Sequence, residues 1–258
     1  MVGYCTAAKR PLWATVGLCE LASANVVGYN ETALLGNSQA KGVGAAFLPV
    51  NGGKIKLGDI KIVGYDKDEG YSGFAITAKK LNGFGVGVAS YLWCDFEEEG
   101  ETYFGWYDAD MNDLNDVELE PGEGLWIYSP SEEFKVQSAG TVADADVEVP
   151  LRGNSEAKMV VNPMPTTLTL GDINIIGYAD DEGYSGFAIT AKKLNGFGVG
   201  VASYLWCDFE EEGETYFGWY DADMNDLNEV ELDPGEGLWI YSPSAEFSAV
   251  FASPLVND

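Results

Sequence analysis

An acidic loop that occurs twice in the chain carries residue types suited to binding a cation. Its side-chain oxygens alternate with a spacing typical of calcium ligands, because Ca²⁺ takes about six to eight oxygen donors. The candidate ligands are Asp108, Asp110, Asn112, Asp113 and Asp116, and in the second occurrence Asp221, Asp223, Asn225, Asp226 and Glu229. An EF-hand would have glycine at the position of Asp113 and glutamate at that of Leu119. Two hypotheses follow: a calcium loop of another kind, and a solvated turn whose Asp and Asn side chains bind local backbone.

The chain contains no histidine, which excludes several kinds of catalytic and metal site. A Ser-His-Asp triad, a Cys-His pair and a histidine-ligated metal cannot be built. A glycosidase needs two placed carboxylates, but the sequence singles out no pair among its 42 acidic residues. We therefore predict that the protein is not an enzyme, and calcium is the one cofactor that the sequence suggests.

Four cysteines are present, and Cys94 and Cys207 occupy equivalent positions in two similar segments. If the chain is exported, these two could form a disulfide with each other or between molecules, or they could remain buried thiols. A buried thiol is typical of a cysteine beside tryptophan in a strand. Zinc is not expected, because two thiols without histidine or a C-x-x-C motif make a poor site.

Aromatic residues also recur at matched positions. They are Trp93, Tyr103, Trp106, Tyr107 and Trp126, and later Trp206, Tyr216, Trp219, Tyr220 and Trp239. Aromatic side chains that alternate along strands usually form a core, and we expect this of Trp106 and Trp126. The carbohydrate hypothesis predicts instead that one or more tryptophans are exposed in matched pairs, as platforms for sugar rings.

These residues recur because the chain contains an internal duplication. Residues 68–115 are identical to residues 181–228, and the similarity continues on both sides of these segments. A repeat of this length has the size of an independent domain. The sequence therefore predicts a first copy over 25–138 and a second copy over 139–258, with the joint near 137–141 and a separate segment at 1–24.

Strand-like segments within each copy alternate with tight turns. In the first copy they lie at 60–65, 74–81, 84–93, 102–107, 117–119 and 125–128. Asn82-Gly83 stands between two of them and favours a β-hairpin, because both residues tolerate positive φ. No window shows a sustained helical period. The sequence predicts an all-β fold of two tandem β-sandwich or jelly-roll-like domains.

The charge and the N-terminal segment limit the location and partners of the protein. A formal net charge of −28 argues against binding to nucleic acid or to an anionic membrane. No apolar run is long enough to span a membrane. Residues 1–24 contain Lys9 and Arg10, then an apolar stretch, then Ala22-Ser23-Ala24, which is typical of a secretory signal. We expect the protein to be exported to the cell surface or the medium.

Two short motifs resemble those of a group of secreted bacterial proteins built of tandem β-domains. One is the Val-Val-Gly-Tyr segment at 26–29, and the other is Pro-Gly-x-Gly-x-Trp at 121–126 and again at 234–239. Most members of that group have no assigned activity. The resemblance implies export and a β fold, and it implies no catalytic residues.

Two functional hypotheses follow from this organisation. The first is a self-associating structural subunit of an extracellular fibre, sheath or surface layer, whose partners are copies of itself. A head-to-tail contact between the two domains could be repeated between molecules. Strand addition could also join them, through Val26, Val27 and Tyr29 or through Val250 and Phe251. The alternative is a non-catalytic carbohydrate-binding or adhesive module with two equivalent sites.

Overall fold

The computed structural model is an all-β fold of antiparallel sheets. It describes residues 27–36, 39–48, 54–72, 76–81, 87–131, 133–154, 156–185, 188–194 and 200–254. The signal-like segment 1–24, Val26 and the Asn82-Gly83 turn lie outside these residues. The predicted fold class is confirmed, and the arrangement is sandwich-like.

The first copy forms three sheets. Its elements are β1 (Val27–Leu35), β2 (Gln39–Val43), β3 (Ile55–Lys56), β4 (Lys61–Val63), α1 (Lys67–Ser72), β5 (Thr77–Leu81), β6 (Gly87–Glu98), β7 (Glu101–Tyr107), β8 (Glu118–Leu119), β9 (Leu125–Ser129) and β10 (Glu133–Thr141). The strand orders are β1-β10-β4, β2-β9-β5-β6-β7 and β3-β8. A short 3₁₀ turn, Leu57–Asp59, separates β3 from β4.

The second copy repeats these sheets strand for strand. Its elements are β11 (Val147–Arg152), β12 (Ala157–Val161), β13 (Leu168–Thr169), β14 (Ile173–Ile176), α2 (Asp180–Ser185), β15 (Thr190–Leu194), β16 (Gly200–Glu211), β17 (Glu214–Tyr220), β18 (Glu231–Leu232), β19 (Gly237–Tyr241) and β20 (Glu246–Phe251). The orders are β11-β20-β14, β12-β19-β15-β16-β17 and β13-β18. The duplicated sequence is therefore a duplicated fold.

The six strand-like segments of the first copy correspond to β4 through β9, with shifted ends. Two features differ from expectation. The joint expected at 137–141 lies within β10, and residues 142–146 connect β10 to β11. The helix α1 was not predicted, because six residues are too few to show a helical period.

Each copy has its own apolar core, with two tryptophans at its centre. In the first copy the rings of Trp93 and Trp106 meet edge to face, with centroids 5.2 Å apart. The Trp106 indole N–H donates to the Ile60 carbonyl at 2.7 Å. Trp106 is fully buried, as predicted, whereas Trp126 is only half-buried.

The β6–β7 hairpin turns through Glu99 and Gly100, whose φ values are +52° and +90°. Two successive positive φ values define the type I′ turn that suits a two-residue hairpin. Further along β7, Gly105 also has a positive φ, of +113°. A methyl group at Gly105 would overlap Asn115 Oδ1, the oxygen that accepts the Trp106 backbone N–H at 2.9 Å.

We expect Gly105→Ala to destabilise the protein more than Gly100→Ala. Both glycines have positive φ, which costs about 1–2 kcal/mol for alanine. Nothing lies within 4 Å of a methyl group at Gly100, so that variant isolates the conformational cost. The overlap with Asn115 should add about 1–3 kcal/mol at Gly105. Urea unfolding of both variants measures the difference, and equal losses would contradict this explanation.

The two copies meet through a contact that recurs with the copies exchanged. Val43 of the first copy forms a β-bridge with Glu236 of the second, and Val160 of the second forms one with Glu123 of the first. The duplication makes Val160 the counterpart of Val43 and Glu236 the counterpart of Glu123.

The backbone hydrogen bonds beside these bridges show the same exchange. The Gly44 N–H donates to the Gly235 carbonyl at 3.2 Å, and the Val161 N–H donates to the Gly122 carbonyl at 2.8 Å. An exchange of equivalent partners is the mark of a two-fold, isologous contact. Such a contact closes on itself, so it differs from the head-to-tail contact considered for a filament.

Buried glutamates support this contact from both sides. Glu123 and Glu236 are 6% and 5% exposed. Lys80 Nζ lies 2.5 Å from Glu123 Oε1, and Lys193 Nζ lies 2.5 Å from Glu236 Oε1. Lys41 reaches Glu236 from the other copy at 3.8 Å. The glutamate of each Pro-Gly-x-Gly-x-Trp motif thus has a structural partner.

Candidate functional site

The candidate calcium loop is held together by its own side chains. Asp108 Oδ1 accepts the backbone N–H groups of Asp110 and Asn112, each at 2.9 Å. Asn112 Nδ2 donates to Asp108 Oδ2 at 2.8 Å. These bonds, chiefly that from the Asn112 side chain, hold the pKa of Asp108 below its usual value. Both carboxylate oxygens of Asp108 therefore already have local donors, as in an Asx turn.

Two further carboxylates of the loop, those of Asp113 and Asp116, also have partners. Asp113 Oδ1 accepts the Asn115 N–H at 2.7 Å, and Lys56 Nζ lies 2.6 Å from Asp116 Oδ1. The second loop repeats the turn, because Asp221 Oδ1 accepts from Asp223 and Asn225 and Asp226 Oδ1 accepts from Asn228. Glu229 is exposed. In the described part of the chain, no three acidic or cysteine side chains converge as a metal site requires.

We expect Asp108→Ala to lower the urea midpoint of unfolding by the same amount with and without 5 mM calcium. The reason is that the variant removes three local hydrogen bonds rather than a metal ligand. Asp110→Ala is the matched control, because no hydrogen bond to its carboxylate holds the turn. A larger loss in calcium than in chelator would instead establish the calcium hypothesis.

Cys94 and Cys207 are free thiols, and each is fully buried within its own copy. Burial raises the pKa of each thiol to about 11. The structure therefore contains no disulfide between them, and the thiols are in their unreactive form at neutral pH.

Both thiols should resist a thiol reagent at pH 8 in the folded protein and react fully after unfolding in guanidinium. A Cys5→Ser/Cys19→Ser background removes the two other cysteines from the assay. Rapid reaction of the folded protein would contradict their burial. Fewer than two reactive thiols after unfolding without reductant would reveal a disulfide.

The residues considered for strand addition lie in strands of their own copies. Phe251 is fully buried, and its strand β20 pairs with β11 on one side and β14 on the other. Val250 is half-buried in the same strand. Donation of the C-terminal strand would therefore require β20 to leave its sheet. Val27 and Tyr29 lie in β1, an outer strand, and Tyr29 is 60% exposed.

The matched exposed aromatic pair consists of phenylalanines, and none of the described tryptophans, which the carbohydrate hypothesis expected to be exposed, is exposed. Phe104 and Phe217 are 49% and 54% exposed, whereas Trp93 and its counterpart Trp206 are each 1% exposed. The other aromatics that recur in both copies are half-buried or buried. Those that are half-buried are Tyr103, Tyr216, Trp126 and Trp239, and those that are buried include Tyr107 and Tyr220. The sequence pattern does not single out Phe104, because it lies two residues from the buried Trp106, on the same face of β7, where alternation predicts burial.

Phe104 rests on the core of the first copy. Its ring meets the Trp93 ring edge to face, with centroids 5.4 Å apart. The Trp93 indole N–H is buried and has no hydrogen-bond partner. Nearby, the Tyr65 hydroxyl donates to Asp95 Oδ2 at 2.5 Å. The second copy repeats the arrangement with Phe217 on Trp206, an unpartnered Trp206 N–H, and a Tyr178–Asp208 hydrogen bond.

Burial, and then the hydrogen bond to Asp95, raise the pKa of Tyr65 to about 12. The Trp93 indole is close enough to the Tyr65 hydroxyl to oppose this rise in pKa, but it does not reach hydrogen-bonding geometry. The tyrosine therefore stays a neutral donor at physiological pH. A buried donor without a partner is uncommon and calls for an explanation such as a bound ligand or water.

The helix α1 holds Tyr65 and Asp95 in place. Glu69 of α1 accepts hydrogen bonds from the hydroxyls of Ser129, at 3.2 Å, and Ser131, at the end of β9. Gly70 lies close to the Tyr65 ring and to the Asp95 backbone. The helix that the sequence did not predict therefore positions the tyrosine and the aspartate of the site.

Open cavities border the exposed phenylalanine in both copies. In the first copy a cavity of about 210 Å³ is lined by Gly58, Lys61, Trp93, Phe104, Gly105 and Asn115. In the second copy a cavity of about 440 Å³ is lined by residues 174–178, Asp180, Asp208 and Phe217. The two cavities share two equivalent lining positions, Lys61 with Asn174 and Phe104 with Phe217.

Comparison of the chain with protein-family models, with curated proteins and with solved structures finds no match. None of the helices in the described ranges is long and apolar enough to cross a membrane. The aromatic sites themselves are therefore the basis for proposing a function.

Proposed function

We propose that the protein is a non-catalytic, exported carbohydrate-binding module with one site in each copy. The observation that carries the proposal is the exposed Phe104, seated on Trp93 beside the Tyr65–Asp95 pair and repeated as Phe217 in the second copy. An exposed aromatic face flanked by hydrogen-bonding groups is suited to a sugar ring, which has apolar C–H faces and polar edges.

Each part of the site has a role in this proposal. The Phe104 ring supplies the apolar platform, and the Asp95 carboxylate accepts hydrogen bonds from sugar hydroxyls. The Trp93 indole lines the same cavity, and its buried N–H has no hydrogen-bond partner in the protein. The cavities are open, so a sugar within a polymer can lie along them without a free chain end.

Two sites on one chain add avidity on a repetitive ligand. When one site is bound, the second meets the same polymer at a high effective concentration, provided that the spacing fits. The Lys41–Glu236 ion pair and the backbone hydrogen bonds between the copies support a fixed spacing. Duplication then serves binding to a polymer better than binding to a free monosaccharide.

The self-associating structural subunit remains a second candidate, supported by one observation. Tyr29 is 60% exposed on the outer strand β1, and outer strands can pair with other chains. The contact between the two copies does not favour this hypothesis, because an isologous contact closes instead of propagating. A fibre or surface layer would therefore need another surface.

Phe104→Ala and Phe217→Ala test the proposal together. We expect the native protein to bind at least one soluble polysaccharide in affinity electrophoresis, each single variant to weaken that binding about tenfold, and the double variant to abolish it. Tyr29→Ala is the matched control, because it removes an equally exposed aromatic ring elsewhere.

Two results would overturn the proposal. One is the absence of binding to every polysaccharide in a broad neutral and acidic panel, and the other is full binding by the double variant. Light scattering of the same proteins tests the second candidate, which predicts large particles that the Tyr29→Ala variant fails to form.

A further inference from the structure

The two copies differ most sharply in charge along one segment. Residues 54–67 and 167–180 are equivalent, yet every lysine of the first is replaced in the second. Lys54, Lys56, Lys61 and Lys67 correspond to Thr167, Thr169, Asn174 and Asp180. The first segment has four lysines and two aspartates, a formal charge of +2, and the second has two aspartates, a formal charge of −2. By contrast, the 48 residues that follow are identical in the two copies.

Two of these lysines are paired within the first copy. Lys54 Nζ lies 3.3 Å from Glu118 and 3.2 Å from Glu120. Lys56 Nζ lies 2.6 Å from Asp116. Their charges are therefore balanced by carboxylates on the facing segment, and they contribute little to the field at the cavity.

Lys61 differs from these two because it lines the cavity beside Phe104. It is exposed and, among the described residues, it forms no ion pair. At the equivalent position the second copy presents the neutral amide of Asn174, with the carboxylates of Asp180 and Asp208 also in the cavity wall. Because Asp95, the equivalent of Asp208, also belongs to the first site, the two sites differ in charge at Lys61, whose counterpart is Asn174, and at Asp180, whose counterpart is Lys67.

We infer that the two sites have diverged in ligand charge, so that the first site prefers an acidic sugar and the second site prefers a neutral one. This inference rests on the proposed function. The Lys61 ammonium would pair with the carboxylate of a uronic acid or with a sulfate ester, which share anionic oxygen acceptors. Asn174 and the neighbouring acids would bind hydroxyl groups and repel an anion.

The overall charge of −28 does not prevent this local recognition. Charges farther than about 8 Å from the ligand are largely screened at physiological salt. If distant repulsion dominated, binding of the acidic sugar would weaken as the salt concentration is lowered. If the attraction of Lys61 dominates, binding weakens as the salt concentration is raised. We expect binding of the acidic sugar to weaken as the salt concentration is raised from about 0.15 to about 0.5 M.

Exchanging the residue types of Lys61 and Asn174 between the two sites provides the test. In a Phe217→Ala background, which leaves the first site, Lys61→Asn should weaken binding of a galacturonic acid oligosaccharide about tenfold. The affinity for a neutral oligosaccharide of the same length should stay within about twofold. In a Phe104→Ala background, Asn174→Lys should create binding of the acidic ligand. A sulfated oligosaccharide, run in parallel by calorimetry, distinguishes a carboxylate from a sulfate preference.

The outcomes separate this inference from the proposed function. If neutral and acidic ligands bind both sites alike and the exchanges change nothing, the inference fails while the proposed function stands. If no oligosaccharide binds the native protein, both fail. If Lys61→Asn leaves sugar binding unchanged but alters the particle size in light scattering, Lys61 belongs to a protein contact and the inference is overturned.

Discussion

One hydrogen bond from a buried indole organises each copy. Its acceptor is a carbonyl just before β4 in the first copy and at the start of β14 in the second. Trp106 donates to the Ile60 carbonyl, and Trp219 donates to that of Ile173. This bond ties the five-stranded sheet to the opposite side of the core. Without it, the large aromatic ring would bury an unsatisfied N–H group. Trp93 packs edge-on against Trp106, and Phe104 packs edge-on against Trp93. The exposed ring of the site is thus the outer member of an aromatic series that begins in the core.

The same arrangement explains why one donor remains unsatisfied. The N–H group of Trp106 donates to a carbonyl, but that of Trp93 is buried near the Tyr65 hydroxyl without a hydrogen-bond partner. Its counterpart in the second copy, Trp206, is in the same state. Leaving a buried donor unpaired costs about 1–3 kcal/mol. Residues 68–115 and 181–228 are identical, so the two copies show one packing arrangement twice, and we propose that a bound ligand offsets its cost.

Much of the fold could be predicted because β-sheet patterning is local. Alternating apolar residues and turn glycines indicate β4 through β9, and the duplication indicates that the second copy repeats them. The two-fold contact could not be predicted, because Val43 and Glu236 are distant in sequence and no local pattern links them. The site was only partly visible for a similar reason. Sequence identifies aromatic residues, but the exposure of Phe104 depends on what packs above it, and α1, which positions Tyr65 and Asp95, is too short to leave a periodic signal.

We propose that the unpartnered tryptophans mark the ligand sites. The indole N–H resonances of the seven tryptophans in a ¹⁵N–¹H correlation spectrum test it directly. During titration with a polysaccharide fragment that binds, the resonances of Trp93 and Trp206 should shift. Those of Trp106 and Trp219 should stay in place, since their N–H groups are bonded to carbonyls. Shifts confined to Trp126 and Trp239, or no shift at all on binding, would contradict the account.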